Sequence, residues 1–145
     1  MSIFGKKLSS KAESLKSVKL FADLEDDQLE MLAQNADEVP MDSGTDLAKE
    51  GSHGEEFIFI LDGTAKVEKS GEVLRELKAG DYFGEISLLD GGLRTASVTA
   101  TSDVNLLVIQ RRAFNNVLEN IPQLSKSMLR ALCEYVRSAE GSDSF

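Results

Sequence analysis

Cysteine, histidine, proline and long apolar runs are all scarce in this chain, and each scarcity excludes something. One cysteine, Cys133, rules out an internal disulfide and suits a reducing compartment, so a cytoplasmic location is expected. No apolar run approaches the roughly 20 residues that cross a bilayer. The lysine-rich start lacks a continuous apolar stretch and a small-residue cleavage site, so it is not a secretory signal. One histidine, His53, cannot supply the several imidazoles of a metal-dependent barrel enzyme, and no metal is expected. No convincing nucleophile–base pair stands out, so the chain is not expected to be an enzyme. A basic surplus is missing too. With a net charge of −9 and no basic face, binding to nucleic acid is not expected, because affinity for duplex DNA comes largely from neutralised phosphates.

The charge is unevenly spread. Residues 1–20 hold five lysines and one glutamate, whereas residues 21–60 hold twelve acidic side chains and one lysine. The acidic stretch reads as a solvated surface. The length of 145 residues fits one domain with its own core. Nine of the eleven glycines fall between Gly44 and Gly92, and the two prolines, Pro40 and Pro122, bracket this central part. Turn signals recur there every 8–10 residues or so, the spacing of a compact all-β unit. Strands are predicted at 57–61 (FIFIL), 64–69, 72–77, 96–100 and 104–109 (VNLLVI). FIFIL and LLVI are continuous apolar runs and are expected to be buried on both faces. Helices are predicted on the flanks. Phe4, Leu8, Ala12 and Leu15 form one stripe. Leu29, Leu32, Ala33 and Ala36 form another, behind the acidic start Glu25-Asp26-Asp27. A short helix over 111–119 and a longer one from Pro122 to Gly141 complete the pattern.

Residues 83–100, FGEISLLDGGLRTASVTA, carry the chemistry. They set one carboxylate, Glu85, and one guanidinium, Arg94, in a frame of small and apolar residues. A sugar hydroxyl donates to a carboxylate, and a phosphate takes an arginine's paired N–H groups. The pair suits a ligand with a ribose hydroxyl beside a phosphate, such as a cyclic nucleotide. Gly84 to Leu89 can form one helical turn whose free N–H groups face an anion. Gly84 permits close backbone approach, and Ala96 leaves room for the phosphate. The plainer alternative is a structural ion pair between Glu85 and Arg94.

The stretch resembles the phosphate-binding cassette of the cyclic nucleotide-binding domain family. Phe83-Gly84-Glu85-Ile86-Ser87-Leu88 matches its first half, and Arg94-Thr95-Ala96-Ser97-Val98-Thr99-Ala100 its second. Leu20-Phe21-Ala22-Asp23-Leu24 looks like the family's leading segment, and 44–51 and 57–63 look like its early β-roll. The likeness implies a mainly β fold with flanking α, a double-stranded β-helix (a jelly-roll-like β-roll) with N-terminal helices and C-terminal B and C helices. It implies an arm at 1–19, the binding domain at 20–140 and a tail at 141–145.

The likeness also implies residue roles. Glu85 accepts from the ribose 2′-OH, and Arg94 pairs with the phosphate oxygens. The N–H groups of Gly84, Ile86, Ser87 and Ala96 complete the cradle. Thr95 occupies a position that in the family can reach the 2-amino group of a syn guanine, although threonine also occurs there in members that prefer cAMP. The ligand is therefore cAMP or cGMP, with no other cofactor. Leu132 and Tyr135 are the base-side candidates, with Met128 behind them, and the same stripe also reads as helix-on-sheet core. His53 stands where an aspartate is frequent, and Glu55-Glu56 makes that loop unusually acidic. The last predicted helix nearly ends the sequence. A stand-alone, bacterial-style domain is expected, without an appended DNA-binding, kinase, channel or cyclase segment. Its output would be a protein partner, an oligomeric state or ligand buffering. The alternative is a ligand-free interaction module with the same fold. The N-terminal lysines with Ile3, Phe4, Leu8 and Leu15 also suit an anionic membrane surface, but packing on the β-roll or docking a partner is the simpler expectation.

Overall fold

A computed structural model describes residues 7–84 and 92–140, without the side chains of Tyr135, Ala139 and Glu140. The first helix, α1 (Ser10–Lys16), begins where Ser9 caps it, its hydroxyl accepting from the Ala12 N–H at 3.2 Å. This start is later than the stripe from Phe4 predicts, and Phe4 lies outside the described residues. A 3₁₀ turn (Lys19–Phe21) follows, then α2 (Asp26–Gln34). The acidic run does open α2. Glu25 and Gln28 form a reciprocal capping box that satisfies two N–H groups the helix cannot bond itself.

Ala36 departs from the predicted helical stripe. Asn35 closes α2, and Ala36 begins β1 (Ala36–Met41). The strand was hidden by Pro40 and two acidic residues. It lies at a sheet edge, where proline is tolerated and most side chains stay in solvent. After it come β2 (Asp46–Ala48), β3 (Glu56–Asp62), β4 (Ala65–Lys69), β5 (Glu72–Leu77), β6 (Tyr82–Phe83), β7 (Ser97–Ala100) and β8 (Val104–Gln110). The chain closes with α3 (Arg111–Asn120) and α4 (Pro122–Glu140).

The strands form two antiparallel sheets, ordered β1-β8-β3-β6 and β2-β7-β4-β5. Successive parts of the chain alternate between them, which makes a mainly β double-stranded roll with helices on one side. The apolar run of β3 explains how the layers join. Ile58 and Ile60 face inward, with Leu106 and Val108, against Ala65, Leu77, Val98 and Ala100 of the second sheet. Phe57 and Phe59 face outward, with Leu107 and Ile109, against Leu15, Leu29, Leu32, Phe114, Leu124 and Met128 of the helices. Each such side chain contributes about 1.5–3 kcal/mol when fully buried, so β3 and β8 are held by two apolar layers at once.

Ala12 and Leu15 are fully buried in the helical layer, which turns the apolar face of α1 inward. The last helix packs against the 3₁₀ turn, where Lys19 pairs with Glu134 at 3.2 Å and Arg130 with Asp23 at 3.8 Å. Both pairs are solvent-exposed and contribute little to stability. No helix of the described residues is long and apolar enough to cross a membrane.

Candidate functional site

Arg94 is the only charged residue among the described ones to be buried, with 8% of its surface exposed. Its position is set by backbone first. The Arg94 N–H donates to the Ser52 carbonyl at 2.7 Å, and the Arg94 carbonyl accepts from the Gly51 N–H at 2.9 Å. Beside it, His53 and Leu93 form an isolated antiparallel bridge. The glycine-rich turn at 51–54 is thus the template for the arginine segment.

The guanidinium is positioned in turn. Nη2 donates to the Glu56 carbonyl at 2.8 Å, and the Phe83 ring centre lies 6.0 Å from Cζ. Gly84 closes the seat. A Cβ there would stand 2.4 Å from the Glu56 carbonyl oxygen and 2.6 Å from Arg94 Nη1. Its φ of +99° is a second reason for glycine.

Arg94 opens into a cavity of about 340 Å³, within the size range of small-molecule sites. Gly84, Thr95 and Ala96 surround the arginine end. Val67, Leu77 and Val98 give an apolar flank, and Lys69, Leu74 and Arg75 come from the β4–β5 hairpin. The described lining therefore holds three cations and no carboxylate, in a chain of net charge −9. This favours a small anion with an apolar part. A larger groove of about 1060 Å³ lies near the start of α3, but its mixed lining of Glu55, Arg111, Arg112, Glu119 and several amides selects no ligand charge. Among the described residues no cluster of three or more His, Cys, Asp or Glu could hold a metal.

The structure thus brings Gly84, Arg94, Thr95 and Ala96 together at one cavity. Glu85, Ile86 and Ser87, with the helical turn expected there, lie outside the described residues. Leu132 is half-buried on α4 and does not line the cavity. The Tyr135 side chain lies outside the description, and Met128 belongs to the helical core. Lys69 and Arg75 were not anticipated at the site. The alternation of β5, which groups Arg75 with Leu77, was the available signal.

A family model described as the cyclic nucleotide-binding domain matches residues 38–121, from within β1 through α3, and so spans the cavity. The chain belongs to the cyclic nucleotide-binding domain family. Within the cyclic nucleotide-binding domains, it is 35% identical over 114 residues to the regulatory subunit of cAMP-dependent protein kinase from Debaryomyces hansenii, covering 78% of this chain and 25% of that one. It is 32% identical over 119 residues to cGMP-dependent protein kinase 2 from Homo sapiens, covering 77% of this chain and 16% of that one. The chain therefore spans a quarter or less of these curated relatives. The solved N-terminal domain of a transcriptional regulator from Streptomyces coelicolor A3(2) superposes with a TM-score of 0.77 at 28% identity, covering 91% of this chain and 98% of that one.

Proposed function

We propose that this domain is a cytoplasmic sensor that binds cAMP or cGMP reversibly, as a ligand and not as a substrate. The observation that carries the reading is the buried Arg94 at the end of a ligand-sized cavity, oriented by the Glu56 carbonyl and packed against Gly84 where a side chain would otherwise stand. A guanidinium seated in this way suits a phosphate, whose oxygens take an arginine's paired N–H groups. In this reading Arg94 takes the phosphate and Glu85 takes the ribose 2′-OH. The N–H groups of Gly84, Ile86, Ser87 and Ala96 complete the cradle, and Thr95 stands near the base. Leu132 and Tyr135 on α4 approach the base once that helix moves.

The helix movement is the signal. Leu129 and Val136 of α4 are 64% and 55% exposed, an apolar surface that can be covered or shown to a protein partner. Nucleotide shifts α4 only by its difference in affinity for the two positions. A tenfold preference supplies about 1.4 kcal/mol.

Titration calorimetry with cAMP and cGMP tests the proposal, with one-to-one binding of at least one expected. No heat from either nucleotide at high micromolar concentration would sink the sensor reading and leave the ligand-free interaction module. Arg94→Ala should weaken binding by about 2 kcal/mol or more, because it truncates a desolvated charge contact. Wild-type affinity in that variant would place the phosphate elsewhere.

A further inference from the structure

Glu50 stands outside the cavity but touches the supports of both its walls. Its N–H donates to the Ser97 hydroxyl at 2.9 Å, and its Oε1 accepts from the Ser70 N–H at 3.0 Å. Ser97 begins β7, three residues after Arg94. Ser70 sits at the tip of the β4–β5 hairpin, with a left-handed φ of 53°, and that hairpin carries Lys69 and Arg75 into the cavity.

The sheet itself does not hold these two parts together at this point. The β4–β7 ladder runs from Ala65–Ala100 to Glu68–Ser97 and stops there. Beyond that last pair the hairpin tip and the Arg94 segment have no ladder bond to each other. Glu50 spans the place where the ladder ends, bonded to Ser97 on one side and Ser70 on the other. The adjoining Gly51 and Ser52 make the two backbone bonds to Arg94. One short segment therefore grips the arginine strand through its backbone and the hairpin through one carboxylate.

We propose that Glu50 is a positioning residue for the nucleotide, fixing the spacing between the Arg94 segment and the β4–β5 hairpin. The proposal rests on the cyclic nucleotide reading above. Glu50 touches no ligand. It sets the width of the cavity at the end of the ladder, and Ser97 is its partner on the arginine side. Both bonds lie at the surface, so each has the modest worth of a solvent-accessible hydrogen bond.

Glu50→Ala, Glu50→Gln and Ser97→Ala test the tie by calorimetry with the preferred nucleotide and by amide hydrogen exchange. Glu50→Ala keeps the backbone bond to Ser97 and loses the one to Ser70, so it should bind about fivefold more weakly, the effect of losing one such bond. Ser97→Ala should weaken binding in the same direction. Glu50→Gln should restore wild-type affinity, because its amide oxygen accepts from Ser70 as the carboxylate does. Unchanged affinity in Glu50→Ala, or equal loss in Glu50→Gln, overturns the proposal. Exchange at the Ser70 amide is read without nucleotide. It should quicken in Glu50→Ala and not in Glu50→Gln, and unchanged exchange in Glu50→Ala also overturns the tie. If the wild-type protein binds neither nucleotide, the sensor reading and the ligand role of Glu50 fail together, and exchange then decides the tie alone.

Discussion

Replacing Gly84 by alanine strikes the seat of Arg94 without changing any charge. Two effects add. An alanine at φ +99° is strained, at about 1–2 kcal/mol for a left-handed residue with a side chain. The new methyl also meets the Glu56 carbonyl at 2.4 Å and Arg94 Nη1 at 2.6 Å. The carbonyl belongs to β3 and cannot retreat cheaply, so overpacking adds about 1–3 kcal/mol. Gly80 supplies the control. Its φ is +95°, and nothing lies within 4 Å of its Cβ position. Gly80→Ala thus carries the backbone strain alone. At about 3–4 °C per kcal/mol for a domain of this size, Gly80→Ala should lower Tm by about 5 °C and Gly84→Ala by about 10–12 °C. Circular dichroism on melting reads both. Calorimetry should also show nucleotide affinity falling at least about tenfold in Gly84→Ala alone, as the displaced guanidinium loses its phosphate geometry. Equal melting shifts in the two variants, with full affinity in Gly84→Ala, would refute the tight seat.

Other outcomes follow from the same geometry. Arg94→Lys keeps the charge but loses the planar fork, so it should bind nucleotide more weakly than wild type and better than Arg94→Ala, as titration would show. Phe57→Ala empties a fully buried site between Phe21 and Tyr82. It should cost about 3–5 kcal/mol in urea unfolding. Met128→Leu should leave nucleotide affinity unchanged, because Met128 packs in the helical core, and a clear loss would return it to the base side. Lys19→Ala removes an exposed ion pair with Glu134. It should change unfolding free energy by less than about 1 kcal/mol.

What could be read directly from the sequence depended on whether the signal was local. FIFIL and VNLLVI announced themselves because both faces of β3 and β8 are apolar, one against the helices and one against the second sheet. The run 72–77 was placed to the residue, framed by a serine-glycine turn. Where a strand touches little, the pattern vanishes. β1 buries Ala36 and leaves most of its length to solvent, and β2 is three residues long. At the site, the arginine and its glycine stood out because the cassette is contiguous. Their supports did not. The Glu56 carbonyl is 38 positions from Arg94, and Glu50 is 47 positions from the Ser97 hydroxyl that receives its N–H. A backbone acceptor such as the Glu56 carbonyl leaves no trace in residue type, and a lone serine such as Ser97 does not name its distant donor.

The arrangement of β1, β3 and β8 also sets an order of assembly. β8 is the shared neighbour of β1 and β3, pairing Ala36 with Ile109 and Phe57 with the same Ile109. Neither earlier strand can enter this part of the sheet until β8 arrives. During synthesis, residues 57–60 meet β6 first, through Phe83 and Tyr82, and their other edge waits about 50 residues for β8. Loop closure over such separations slows folding, and an apolar strand with one edge open invites aggregation. Slowing translation between residues 62 and 104 should thus lower the soluble yield more than the same delay placed after residue 110.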